Sequence, residues 1–334
     1  MSSPIAVLGA GSFGTCLAKL CGREHDVLLW ARREEVALRI NETGRNPGYL
    51  EEVLLPKTVR ATNDLSEAVI GRELVIIAVP SHGVRDVMKN IAPHLDPGAI
   101  VVITSKGIET ETGLTMSQVL MDVLDSSFHS RIVLLSGPSF AREIAEEQPT
   151  AVTVASRDET YAISVQAELS CPWFRCYSHD DIIGVEIGGA VKNVIAIAVG
   201  ICEGLGMGLN TRAALMTRGL REMTRLGETL GANPLTFQGL SGMGDLLLTC
   251  TGNLSRNRNV GLQLGRGRSL SEITLGMGQV AEGVRTTLAV CQLADRLEVE
   301  MPIAQSVRMV LTGEITSLEA GTEMMSRQLR AELD

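Results

Sequence analysis

The sequence predicts an α/β protein in two parts: an N-terminal doubly wound, mainly parallel sheet, then a C-terminal all-helical domain. Three observations carry that expectation. Short, continuous apolar runs alternate with helical patterns through residues 1–179, as in parallel sheets covered on both faces. Past Asp180 the strand signals nearly vanish and helical periods run to the end. A chain of 334 residues suits two domains, here 1–179 and 180–334.

The first strand, at 5–8, is wholly apolar and runs into Gly9-Ala10-Gly11-Ser12-Phe13-Gly14, after which 15–21 continues with helical character. A glycine triplet alone is weak evidence. Between an N-terminal strand and a helix it is the fingerprint of a Rossmann-like dinucleotide site. Gly9 permits the tight turn, Gly11 lets backbone amides approach a pyrophosphate, and Gly14 lets helix and strand pack closely. The helix N-terminus then faces the phosphates with unpaired N–H groups and partial positive charge.

The second strand, at 26–30, leads into Arg32-Arg33-Glu34-Glu35. An NAD-specific site places an acid there for the ribose 2′-hydroxyl. Two guanidiniums instead suit the 2′-phosphate of NADP(H). Use of NAD(H) stays open, because a nearby Arg accommodates the phosphate without excluding NAD. The competing reading is a solvated helix start whose arginines Glu34 and Glu35 neutralise. Further strands are expected at 74–79, 100–104, 132–135 and 151–155, with a short last one at 173–177. Helical patterns lie between them at 84–91, 115–124 and 160–169. In the second half, 188–202 reads as a buried core helix, since Lys192 and Asn193 interrupt a stretch too short to cross a membrane. Amphipathic helices follow at 212–230, 256–264, 284–297 and 303–311.

Composition narrows the function classes. The balance of 30 basic and 39 acidic side chains, with no long basic run, argues against nucleic-acid binding. The seven cysteines lack paired metal spacing and the five histidines are scattered, so no metal is expected. An odd cysteine count with no secretory signal reads as reduced thiols in a cytoplasmic protein without an integral membrane segment. The oligomeric state is not legible; a homodimer stays open.

Four polar sites stand out. Lys192 is the one charged side chain between Gly188 and Cys202. Its helical neighbours at three and four residues are Gly188, Gly189, Ile195 and Ala196. A buried Lys is costly without a purpose, and desolvation lowers its pKa toward the acid–base range. The glycines would let a ligand or another backbone come close. The bland alternative is a Lys that snorkels to water. Asp245 precedes the apolar run 246–248; helix cap, orienter of Lys192 and partner of a substrate hydroxyl all remain open. Ser255-Arg256-Asn257-Arg258 places a capping Ser and an Arg at a helix start, where a phosphate gains charge-assisted bonds, although exposed basic helix starts are common. Lys106 follows a strand on the side where ligands of doubly wound sheets bind; a solvated loop Lys is its rival reading.

In order along the chain, Gly9-Ala10-Gly11-Ser12-Phe13-Gly14-Thr15, Ser105-Lys106-Gly107, Ser136-Gly137-Pro138-Ser139-Phe140-Ala141, Gly188-Gly189-Ala190-Val191-Lys192-Asn193, Gly242-Met243-Gly244-Asp245 and Ser255-Arg256-Asn257-Arg258 form a set. That set resembles the bacterial NAD(P)-dependent glycerol-3-phosphate dehydrogenases over nearly the whole chain. The resemblance implies interconversion of dihydroxyacetone phosphate and sn-glycerol 3-phosphate, which supplies phospholipid synthesis. It implies Lys192 as the general acid–base residue. It also implies substrate contacts at Lys106, Gly137, Ser139, Asp245, Ser255, Arg256 and Asn257. Cofactor contacts are implied at Ser12, Phe13, Arg32, Arg33, Lys106, Ala141, Arg256, Val280 and Glu282, beside Gly9, Gly11 and Gly14 of the fingerprint. Two rivals keep the glycine loop. A β-hydroxyacid dehydrogenase would act on acids without phosphate. A nucleotide-sensing binding protein would leave Lys192 unexplained.

Overall fold

The computed structural model describes residues 3–275, 281–329 and 331–332. Eight strands among them form one sheet: β1 Ile5–Leu8, β2 Val27–Trp30, β3 Val59–Thr62, β4 Leu74–Ile77, β5 Ile100–Ile103, β6 Ile132–Ser136, β7 Thr150–Ala155 and β8 Phe174–His179. Their order is β3-β2-β1-β4-β5-β6-β7-β8. Neighbours are parallel except β6 and β7, which pair antiparallel. β1 lies between β2 and β4, so successive connections leave it in opposite directions. A crevice opens at that switch point, outside the carboxyl ends of the strands.

Helices α1 Ser12–Cys21, α2 Glu34–Thr43, α3 Leu65–Val69, α4 Val84–Ile91, α5 Met116–Val123, α6 Ala141–Ala145 and α7 Glu159–Leu169 accompany the sheet. The rest of the described chain is helical: α8 Ile182–Gly204, α9 Leu209–Thr229, α10 Asp245–Thr251, α11 Arg256–Gly265, α12 Leu270–Leu275, α13 Glu282–Arg296, α14 Pro302–Thr312 and α15 Ser317–Ser326. The strand β3 was not expected from the sequence. It reads Val-Arg-Ala-Thr at the sheet edge with Arg60 exposed, so it lacks the continuous apolar run of a buried strand.

The expected core helix is longer than 188–202 because Asp181 starts it earlier. One carboxylate oxygen of Asp181 accepts from Gly184 N at 2.8 Å and caps α8. The other accepts from Asn233 N at 2.9 Å and from Thr236 Oγ1 at 2.6 Å, tying the helix start to a later loop. Every residue from 184 to 201 is buried. α8 is apolar and long enough to cross a membrane, but 94% of its most apolar window is buried inside the protein. Each Ile or Val it buries contributes roughly 1.5–3 kcal/mol, and its surroundings are the other helices rather than lipid.

α11 runs parallel to α8 at backbone contact. A Cβ on Gly200 would sit 2.1 Å from Arg258 O, and one on Gly261 would sit 2.0 Å from Ile197 O. Only glycine fits such an approach. This register brings the first turn of α11, with Arg256 and Asn257, beside Lys192 and Asn193.

Candidate active site

Four segments from both halves of the chain meet at the carboxyl ends of β5 and β6. Lys192, 6% exposed on α8, donates from Nζ to Asp245 Oδ1 at 2.6 Å and to Thr249 Oγ1 at 2.9 Å. Asp245, 1% exposed, opens α10 directly after a π-helical turn at Leu240–Gly244. Its Oδ2 accepts from Lys106 Nζ at 2.7 Å. Lys106 follows β5, and its Nζ also donates to Gly137 O at 3.1 Å. Gly137 follows β6 with φ +135, a conformation that favours glycine and turns its carbonyl into the site. Ser139 Oγ donates to the same carbonyl at 2.9 Å. One buried carboxylate is thus held between two ammonium groups.

Burial pulls the Lys192 pKa down to about 8, against the opposing pull of the Asp245 carboxylate; the Lys106 charge lowers it further. Burial alone would raise Asp245, but Lys106 and Lys192 outweigh it and hold the carboxyl below its ordinary value. Asp245 therefore stays ionised, and Lys192 can hold or release a proton near neutral pH. The neighbouring Cys250 thiol is pushed up to about 12, chiefly by burial, and stays protonated. Two ammoniums and one carboxylate leave a local excess of positive charge in a protein whose net charge is −9.

Asp245 lies in the first turn of a helix, and both of its oxygens are engaged by lysines. Lys192 does not snorkel. It is paired with Asp245. The Gly188–Gly189 pair does not leave space for a ligand: a Cβ on Gly188 would meet Ser241 O at 2.6 Å, and one on Gly189 would meet Ser136 Oγ at 3.0 Å. The glycines admit another backbone and the Lys106 loop instead.

Ser255 caps α11 by accepting from Arg258 N at 3.2 Å. Arg256 follows it, exposed at the helix N-terminus. Asn257 is largely spent on bracing: Nδ2 donates to Asn193 Oδ1 at 2.8 Å and Oδ1 accepts from Gly283 N at 3.0 Å. Glu282, at the start of α13, accepts from Ser81 N at 2.9 Å after β4. Burial raises its pKa, and Arg256, Lys106 and Lys192 act against that rise. Glu282 therefore faces the same cations, although a helix-opening Glu carries no distinctive signal in sequence. Val280 lies outside the described residues.

The residues of the dinucleotide loop fit such a cofactor. Gly9 has φ +118, and a Cβ there would lie 2.8 Å from Ala78 O. A Cβ on Gly14 would collide with Gly9 O. Gly11 has nothing within 4 Å of its Cβ position, so the backbone is open at the N-terminus of α1, where no side chain caps the amides. Ser12 and Phe13 form that first turn. Ala141 opens α6. Arg32 and Arg33 stand exposed after β2, and Arg33 pairs with Glu35 at 3.5 Å. Among the described residues, no group of three or more His, Cys, Asp or Glu could hold a metal ion.

Three contributors escaped the sequence reading. Thr249 is one helical turn after Asp245, a spacing that could have found it. Asn193 adjoins Lys192 and carries no local signal. Asn46, fully buried, donates to Ala10 O at 2.8 Å and to Thr15 Oγ1 at 2.6 Å and so holds the glycine loop from 36 and 31 residues away.

Residues 4–162 match the family model for the NAD-dependent glycerol-3-phosphate dehydrogenase N-terminus, and residues 181–321 match that for its C-terminus. The chain belongs to the NAD-dependent glycerol-3-phosphate dehydrogenase family. It is 51% identical, over 99% of both chains, to a protein of Geobacter sp. strain M21 named glycerol-3-phosphate dehydrogenase (NAD(P)+). It is 50% identical to the Syntrophotalea carbinolica protein of the same name, again over 99% of both chains. Among solved structures, the glycerol-3-phosphate dehydrogenase of Coxiella burnetii matches with TM-score 0.93 and 38% identity, covering 98% of this chain and 99% of that one. A ketopantoate reductase of Ralstonia eutropha, at 17% identity and TM-score 0.60, shares the fold alone. The dehydrogenase resemblance drawn from the ordered motifs therefore stands, as do the Rossmann-like sheet, the helical second half and the use of an NAD(P) cofactor.

Proposed function

We propose that this dehydrogenase reduces dihydroxyacetone phosphate to sn-glycerol 3-phosphate reversibly at the Lys192–Asp245–Lys106 centre, with NADP(H) preferred over NAD(H). The observation that carries the reading is the buried Asp245 carboxylate shared by two lysines, one from each half of the chain. When bound, the nicotinamide cofactor supplies or accepts the hydride. As the ketone carbon is reduced, its oxygen develops negative charge; the Lys192 ammonium stabilises that charge and donates the proton that makes the hydroxyl. In the reverse direction neutral Lys192 takes the hydroxyl proton. Asp245 keeps the ammonium aimed, and Thr249 Oγ1 accepts a second of its N–H bonds. Lys106 adds a second positive charge beside the developing alkoxide.

Arg256, Ser255 and the open end of α11 hold the substrate phosphate, so binding energy remote from the carbonyl orients the reacting carbon. Gly137, Ser139 and the remaining N–H of Asn257 line the same space. Gly9, Gly11, Ser12, Phe13 and Gly14 carry the cofactor pyrophosphate, with Ala141 and Glu282 along the remaining length; Val280 is assigned to the cofactor on the family resemblance alone. Arg32 and Arg33 read the 2′-phosphate; the exposed ion pair of Arg33 with Glu35 is weak enough to exchange.

The domains we assign are 1–179 and 180–334, supported by the last strand ending at His179 and α8 beginning at Ile182. Seven free thiols support a reducing cytoplasm. Glycerol 3-phosphate formed here feeds phospholipid synthesis. A cofactor-absorbance assay with dihydroxyacetone phosphate, unphosphorylated dihydroxyacetone and small β-hydroxyacids tests the reading. Turnover is expected with the phosphate ester alone; preferential turnover of a β-hydroxyacid would overturn it.

A further inference from the structure

We infer that Arg285 of α13 is a second reader of the adenosine 2′-phosphate, reaching from the helical half toward the place Arg32 marks on the sheet. The inference rests on the NADP reading above and adds a residue that neither the glycine fingerprint nor the ordered motifs include.

The first turn of α13 is clamped to the carboxyl end of β4. Glu282 Oε1 accepts from Ser81 N at 2.9 Å, and Ser81 opens the turn after that strand. Gly107, after β5, is wedged at the same junction: a Cβ there would lie 2.6 Å from Ser81 Oγ and 3.5 Å from Thr286 Oγ1. Glu282 and Thr286 are one turn apart and both meet this junction. Arg285, between them on the helix surface, is exposed at its rim.

His82, next to Ser81, is where the two halves converge. Its pKa is lowered by burial first, then by the Arg285 charge and the Arg32 charge, while Glu111 acts in the opposite direction. Arg32 arrives from the end of β2, Arg285 from α13, and β1 with its glycine loop lies between β2 and β4. The Ser81–Glu282 bond sets the first turn of α13 against the end of β4, and β1 alone separates β4 from the strand that leads into Arg32, so by this placement the two arginines stand on either side of the adenosine end of the dinucleotide crevice.

Arg33 pairs with Glu35, Arg85 with Glu109 and Arg258 with Glu203. Among the described residues, neither Arg32 nor Arg285 has a carboxylate within ion-pair distance, although acids outnumber bases 39 to 30. Two unpaired guanidiniums brought to one imidazole repel each other in the free protein. A phosphate monoester, with a charge of about −1.5 to −2 near neutral pH, relieves that repulsion and accepts planar bonds from both. The pyrophosphate has its own cradle at the glycine loop, so the 2′-phosphate is the anion left for this pair.

Calorimetric titration of the full chain with adenosine 2′,5′-bisphosphate and with adenosine 5′-monophosphate tests this. Parent protein is expected to bind the bisphosphate more tightly. Arg285→Leu should lose about tenfold in bisphosphate affinity, while monophosphate affinity stays within about threefold, as for an ordinary surface change. Arg285→Lys should recover part of the loss, because it keeps the charge without the fork. Equal losses for both probes, or no loss for either, would overturn the assignment of Arg285. A parent protein that does not distinguish the probes would overturn the NADP reading itself. An unchanged thermal transition in each variant confirms that the fold is intact.

Discussion

The dinucleotide end of the crevice and the Lys192 centre are built by contrasting means. The glycine loop and the arginine pair occupy short contiguous stretches, and the arginines stand in solvent. Lys192, Asp245 and Lys106 come from stretches 53 and 139 residues apart, and the Lys192–Asp245 pair is sealed from water. Exposed charges act singly and weakly, whereas a buried carboxylate couples everything that touches it. Perturbing the two ends should therefore give effects of very different size.

The sharpest break in that contrast is Lys192→Met. The side chain keeps its length and apolar packing but loses the proton and the charge. Turnover should fall at least about 100-fold, the lower range for loss of general acid–base catalysis. Asp245 keeps its ion pair with Lys106, so it is not left as an orphaned buried charge. A folded variant with near-parental turnover would return Lys192 to a structural role.

Arg256→Ala comes next. A charge-assisted phosphate contact is worth about 1.5–3 kcal/mol, so the Michaelis constant for dihydroxyacetone phosphate should rise roughly ten- to hundredfold. An unchanged constant would remove Arg256 from the site.

The smallest effect is expected at the exposed end. Arg32→Ala combined with Arg33→Ala should lower kcat/KM for NADPH more than for NADH, by about tenfold in the ratio. The Arg33–Glu35 pair already occupies part of one guanidinium. Equal losses with both cofactors would show that these residues do not read the 2′-phosphate.

The same contrast explains what the sequence disclosed. The strand, Gly9, Gly11, Gly14 and the helix are one local device, so backbone rules alone locate it. The continuous apolar strands β1, β4, β5 and β6 are legible for the same reason, and the polar edge strand β3 is not. Lys192 was visible because charge on an apolar helix is locally anomalous. Its partner was legible only as one of three readings of Asp245, since the bond depends on a π-helical turn and on α10 packing against α8. Asn257 shows the converse: the family resemblance implied a substrate contact there, while tertiary contacts engage both ends of its amide. The glycines before Lys192 left two readings open for the same reason, because spacing cannot tell room for a ligand from room for Ser241.

The central claim is that buried Asp245 sets the proton affinity of Lys192. The Lys192 pKa lies near 8, depressed chiefly by burial and sustained by the Asp245 charge. Oxidation of glycerol 3-phosphate needs the neutral amine, so its rate should climb as pH rises through about 8, and the reductive rate should fall over the same interval. Asp245→Asn removes the charge that favours the ammonium, so the inflection should move to lower pH as well as the rate falling. The most direct measurement is the pH profile of kcat for glycerol 3-phosphate oxidation in the parent and in Asp245→Asn. An inflection near 8 that shifts to lower pH in the variant is the predicted result; an inflection that stays in place when the carboxylate is removed would contradict the account.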